Sequence, residues 1–153
     1  MYEVYPPLRN EEDRRAIIWA LSTRLISIIA SDHAPHSAED KRLDQPARGF
    51  SGVELLFSLC YSGLVRKAII DLERLVEFLS LSPSLLLGIE PVCFEAGKRA
   101  DIVLFDPEEE WRVEESAMHS KGKNTPFMGG RLKGRVKYTI ASGEVIYPFG
   151  ELR

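Results

Sequence analysis

Cysteine and histidine are scarce in this chain: two and three in 153 residues. Two cysteines without metal-ligand spacing exclude a disulfide framework and a thiolate zinc cluster. Cys60 and Cys93 stand in apolar settings and read as buried free thiols of a reducing cytosol, which implies a cytoplasmic protein. There is no excess of basic charge, the formal net charge being -3, so no footprint for nucleic acid exists. No apolar run approaches the roughly 20 residues that span a bilayer, and no membrane partner is expected. The start, Met1-Tyr2-Glu3-Val4-Tyr5-Pro6-Pro7, has neither a basic region nor an apolar core, so no secretory signal is expected. A Gly-rich phosphate loop and a nucleophile elbow are also missing.

What is present is a soluble-protein composition, 44% hydrophobic and 28% charged, of a length that builds an ordinary core. The run Leu25-Ile26-Ser27-Ile28-Ile29-Ala30 lacks polar alternation and reads as a parallel strand buried on both faces. Directly behind it stands Ser31-Asp32-His33-Ala34-Pro35-His36. A carboxylate and two imidazoles after a buried strand occupy the place where barrel enzymes put their chemistry. Before the strand, Asn10 with Asp13 three residues on caps a helix from Glu11 to about Ser22. Ile17, Ala20 and Leu21 form its core-facing stripe, widened by Ile18 and Trp19.

Residues 33–51 form a long polar loop without periodicity, the kind that usually binds or covers a ligand. The very apolar segment Gly52–Leu64 predicts a buried helix, Asp71 caps another to about Leu79, and Ser82-Pro83 starts a short one ending at Gly88. Beyond Gly88 the period changes. Ala100–Phe105 predicts a strand closed by Asp106-Pro107, and Trp111–Val113 a short one. Ser116–Leu132 reads as a loop. Arg135–Ala141 and Glu144–Tyr147 flank Ser142-Gly143 as a hairpin.

Each chemistry-bearing residue has two readings. Asp32 is a metal ligand or general base, or else a turn residue after a strand. His36 contacts an anionic substrate group or is a solvated loop histidine. His33 reads as structural beside the site, and His119 as unremarkable. Arg48 is an anion contact or surface. Gly49 and Gly52 allow close backbone approach to a ligand or simply shape the loop. A catalytic zinc typically takes three protein ligands, and with no His-X-His or helical His-X3-His pair Asp32 alone holds no metal tightly.

Pro6-Pro7-Leu8-Arg9, Ser31–His36, Gly52-Val53-Glu54, Ala100–Pro107 and Ser120–Phe127, taken together and in this order, resemble the C-terminal part of a dihydroorotase, a zinc-dependent cyclic amidohydrolase of pyrimidine biosynthesis. The resemblance implies an α/β fold: residues 1–90 as the last strand and helices of a (β/α)8 (TIM) barrel, and 91–153 as a small all-β tail belonging to a composite sandwich. It implies that Asp32 binds zinc and acts as acid and base, that His36 contacts the substrate carboxylate, and that the loop's backbone contact to the substrate falls on Arg48 and Gly49. Tyr5 departs from the pattern, standing where the family commonly carries a substrate-binding Asn. The family's His-X-His, its bridging carboxylate or modified lysine, two later histidines and a substrate arginine would all precede this segment. Three readings follow: a dihydroorotase segment inactive alone on N-carbamoyl-L-aspartate or dihydroorotate, one half of an enzyme completed by an N-terminal polypeptide, or a non-catalytic dihydroorotase-like scaffold. Unpaired strands further imply self-association or a complementary half.

Overall fold

The computed structural model describes residues 3–42 and 44–148, so residues 1–2 and 149–153 of the two expected segments, and Leu43 of the polar loop, lie outside the described residues. Helix α1 spans Glu11–Ser22, and the Asn10 side chain accepts a hydrogen bond from the Asp13 amide as its cap. Glu11 bonds Arg14 and Arg15 on the exposed face, and the two guanidiniums hold its carboxyl down at about 2. Only Leu21 of the expected stripe is buried. Ile17 and Trp19 remain 52% and 59% exposed.

The run Leu25–Ala30 is not a strand. Its amides go to scattered acceptors, Ile26 to Ala20 and Ile29 to Phe78, and none of its six side chains is buried. A parallel strand is made by neighbours on both sides, and the described residues supply only one parallel bridge nearby, His33 with Phe50. The buried barrel strand expected from the apolar pattern is therefore absent from this structure.

Helix α2 covers Leu56–Cys60 and continues through a π-helical turn, Tyr61–Val65. It starts four residues later than the apolar pattern suggests, since Leu55 and Leu56 donate three residues back, to the Gly52 and Val53 carbonyls, in turns that precede the helix. Asp71 caps α3, Leu72–Val76, by accepting from the Arg74 amide. Instead of stopping near Leu79, the helical path runs on through a π turn, Glu77–Leu81, into α4, Ser82–Leu87, which ends at left-handed Gly88. Leu75 and Phe78, three residues apart and both fully buried, carry the core while Leu72 and Val76 face outward.

Three antiparallel strands follow in the order β1, Ile102–Arg112; β2, Arg131–Ala141; β3, Glu144–Tyr147. Strand β1 does not close at Asp106-Pro107. It bulges there, Asp106 pairing with Arg135 and Glu110 with Lys133, so that four steps on β1 oppose two on β2. The Asp106 carboxylate accepts the Glu108 and Glu109 amides that the bulge frees from the ladder. The single strand therefore absorbs the separate one expected at Trp111. A short 3-10 turn, Glu115–Ala117, lies in the expected Ser116–Leu132 loop, and β2 begins just before that loop's expected end. The β2–β3 hairpin over Ser142-Gly143 is as the sequence reads.

Leu21, Tyr61, Ile70, Leu75 and Phe78 form the main core, and Leu55, Val113 and Leu132 a second one. The aromatic rings of Phe57, Tyr61 and Phe105 join helix to sheet. Gly134 is what permits this contact. At φ +78°, a Cβ there would sit 2.5 Å from the Tyr61 ring. Gly134→Ala should lower stability by about 1–3 kcal/mol through overpacking and left-handed strain, read as a lowered urea midpoint with unchanged slope.

Both cysteines are free, and Cys93 is exposed, not buried as its apolar setting suggests. Burial pushes the Cys60 thiol up to about 11. One equivalent of thiol, that of Cys93, should react quickly with a disulfide reagent in the folded chain, with the second released only on unfolding.

Candidate functional site

Asp32 is solvent-exposed and stands in the left-handed region, φ +45°, a conformation that Asp tolerates better than most residues. None of the hydrogen bonds that order the following loop uses its carboxylate. His33, the next residue, faces the protein: its Nδ1 accepts the amides of Gly52 at 3.1 Å and Val53 at 3.3 Å. With the Ala34 amide donating to the Phe50 carbonyl, this pins the 31–36 segment alongside 50–53.

His36, Arg48 and Gly49 come together at the far end of the loop. The His36 Nε2 lies 2.7 Å from the Arg48 carbonyl oxygen. Gly49 is buried at φ +112°, and a Cβ there would fall on that of Ala34. Its amide donates to the Glu3 carbonyl at 2.8 Å, and its carbonyl accepts from Lys41 Nζ at 2.6 Å. Lys41 also donates to the Ala47 carbonyl. The Arg48 guanidinium stands over the Tyr5 ring, 5.8 Å from its centroid, which brings the N-terminal segment to the site. Asp40 caps the intervening turn. Its carboxylate accepts from the Ser37 hydroxyl and amide, which hold its carboxyl below the ordinary range, and the nearby His36 ring adds to this.

The residues that hold this arrangement from outside come from the loop after β1. Asn124 Oδ1 accepts the His36 amide at 2.8 Å, its Nδ2 donates to the Gly49 carbonyl at 3.0 Å, and its own carbonyl takes the Ser51 amide. Ser51, fully buried, donates its hydroxyl to the Gly122 carbonyl. Glu54 accepts the amides of His119 and Ser120 at 2.6 and 2.9 Å. Gly122 packs where a Cβ would come within 2.6 Å of the His36 amide nitrogen. Sequence reasoning marked Ser120–Phe127 without a role. A partner 88 residues away in the chain carries no local signal, and the one cue was several small and amide residues in a row. The His119 ring turns away to pack on Tyr147.

Among the described residues, no three His, Cys, Asp or Glu side chains gather at metal-holding distances. His33 Nδ1 accepts backbone amides, so its Nε2 carries the proton, and His36 Nε2 is taken by a carbonyl, which leaves Asp32 and His36 Nδ1 as free donors, short of the three a zinc site takes. This set does not fit a resident zinc ion.

An amidohydrolase family model matches residues 6–146. The chain belongs to the amidohydrolase family. Among curated relatives, a dihydroorotase of Thermoanaerobacter sp. (strain X514) is 46% identical over 95% of this chain and 34% of its own length. A dihydroorotase of Bacillus cytotoxicus is 40% identical over 95% of this chain and 35% of its own. Among solved structures, dihydropyrimidinase from Brevibacillus agri superposes with a TM-score of 0.88 at 27% identity, covering 95% of this chain and 33% of that one. The chain thus spans about a third of the length of the curated relatives it matches, and the helices with their three-stranded sheet are a partial amidohydrolase fold. The resemblance to dihydroorotases read from the motifs is borne out.

In this amidohydrolase segment, Asn124→Ala should cost about 1–3 kcal/mol by leaving the His36 amide unpaired and taking one of two donors from the Gly49 carbonyl. It should also speed hydrogen exchange of the His36 amide. Asn124→Asp keeps the acceptor and loses the donor, so it should retain His36 protection while still lowering stability.

Proposed function

We propose that this chain is the C-terminal segment of a dihydroorotase-like enzyme that interconverts N-carbamoyl-L-aspartate and dihydroorotate in pyrimidine biosynthesis. The observation that carries this reading is the 46% identity to a dihydroorotase across 95% of the chain. Residues 1–90 are the barrel's last portion and 91–153 the sandwich portion, in keeping with the change from helix to sheet after Gly88.

Asp32 is the group that moves a proton to or from the amide nitrogen of the ring and serves as a zinc ligand in the completed enzyme; its exposure and its uncommitted carboxylate suit both tasks. His36 and Arg48 bind the substrate carboxylate. Gly49 shapes the loop, since its amide and carbonyl are already bonded. Tyr5, in the place of a family Asn, acts by facing Arg48.

Zinc and its further ligands belong to the assembled enzyme, formed with a complementary N-terminal half or another copy. Leu85, Leu86, Leu87 and Phe94 are 63–91% exposed, apolar surface that favours such association over a lone chain. A non-catalytic scaffold is the second reading, favoured by Tyr5 where a substrate-binding Asn is common. No nucleic acid or membrane takes part.

The test is activity of the chain with zinc, alone and with the remaining two thirds of the Thermoanaerobacter dihydroorotase supplied as a separate polypeptide. The chain alone should show no turnover. The assembly should turn over, losing at least about 100-fold in kcat with Asp32→Asn, while His36→Ala should mainly raise KM. A stable assembly without turnover would establish the scaffold reading instead.

A further inference from the structure

The His36 ring has one nitrogen committed. Its Nε2 lies 2.7 Å from the Arg48 carbonyl, and a carbonyl only accepts, so Nε2 carries hydrogen whether the ring is neutral or charged. In the neutral ring the other nitrogen, Nδ1, is therefore a bare lone pair. Exchanging the two nitrogens would put that lone pair against the Arg48 oxygen. Asn124 opposes any rearrangement that would avoid this, because it ties the His36 amide to the carbonyl of Gly49, the residue after Arg48. The Gly122 backbone closes the space behind His36.

A carboxylate also only accepts. Set against the Nδ1 lone pair it is repelled, and set against Nδ1–H of an imidazolium it gains a charge-assisted hydrogen bond. Resting on the carboxylate-binding role given above, we propose that His36 holds a substrate carboxylate only as the imidazolium, through Nδ1–H, so that each carboxylate bound there takes up one proton. The proton comes from water and returns to it on release, and no covalent bond changes.

Asp32, Glu39, Asp40, Lys41, Arg42, Asp44 and Arg48 are the charged residues of its own loop, and Asp40 stands near enough to act on the ring. Lys121 and Lys123 flank Gly122 on the packed loop, and Glu3 and Tyr5 belong to the N-terminal segment. The need for Nδ1–H follows from the Nε2 contact with the Arg48 carbonyl alone.

Nitrogen-15 NMR of the chain tests this, with His36→Gln used to identify the His36 signals among three imidazoles. Above its titration the ring should be the Nε2–H tautomer. Added N-carbamoyl-L-aspartate should raise the His36 midpoint. Its affinity should fall about tenfold per pH unit above the midpoint of the free ring. An Nδ1–H tautomer overturns the inference and leaves the carboxylate role standing, as does His36 perturbed by the probe with pH-independent affinity. An Nε2–H ring insensitive to the probe at every pH overturns the carboxylate role itself, and the coupling with it.

Discussion

Among the described residues of 33–52 the backbone has no sheet to pair with, and where it is buried its amides and carbonyls must still be satisfied. Side chains do this work: His33 for the amides of Gly52 and Val53, Lys41 for two carbonyls, and Asn124 for His36 and Gly49. Each of these bonds also fixes a residue of the candidate site. The same need that stabilises the loop thus decides which imidazole nitrogen faces outward, and so which chemistry His33 and His36 can offer.

Two small cores hold the platform under that loop. Leu75 of α3 and Phe78 of the π turn that follows point inward together, and Tyr61 reaches the sheet through the gap that Gly134 leaves. The bulge at Asp106 lets β1 continue to Arg112, so that Trp111, and Val113 just past its end, pack on Leu55 at the approach to α2. Leu55 follows Glu54, whose carboxylate anchors the loop carrying Asn124. Sheet, helix and site are therefore mechanically continuous, though they lie far apart in the chain.

The apolar run Leu25–Ala30 shows how local pattern and tertiary context part ways. Its composition is that of a strand between two others, and among the described residues it has no such neighbours, so its side chains stay partly exposed. The leucines of α4 are exposed apolar surface of the same kind.

Capping and turn chemistry act within a few residues, which is why Asn10, Asp71, Gly88 and the Ser142-Gly143 hairpin could be read directly. The motif Asp32–His36 was legible for the same reason, as a cluster of scarce residue types in one short segment. The π turns, the bulge, the failure of the Leu25–Ala30 strand and the clamp of Asn124 and Glu54 were not. Each depends on contacts between distant segments, where packing and the satisfaction of buried polar groups override local preference. Residue identity by itself determined the family and the chemistry available to it. Only the tertiary structure decided that the nitrogens of His33 and His36 facing the backbone are already bonded, because that follows from which carbonyl or amide a fold brings within 3 Å or so of a ring.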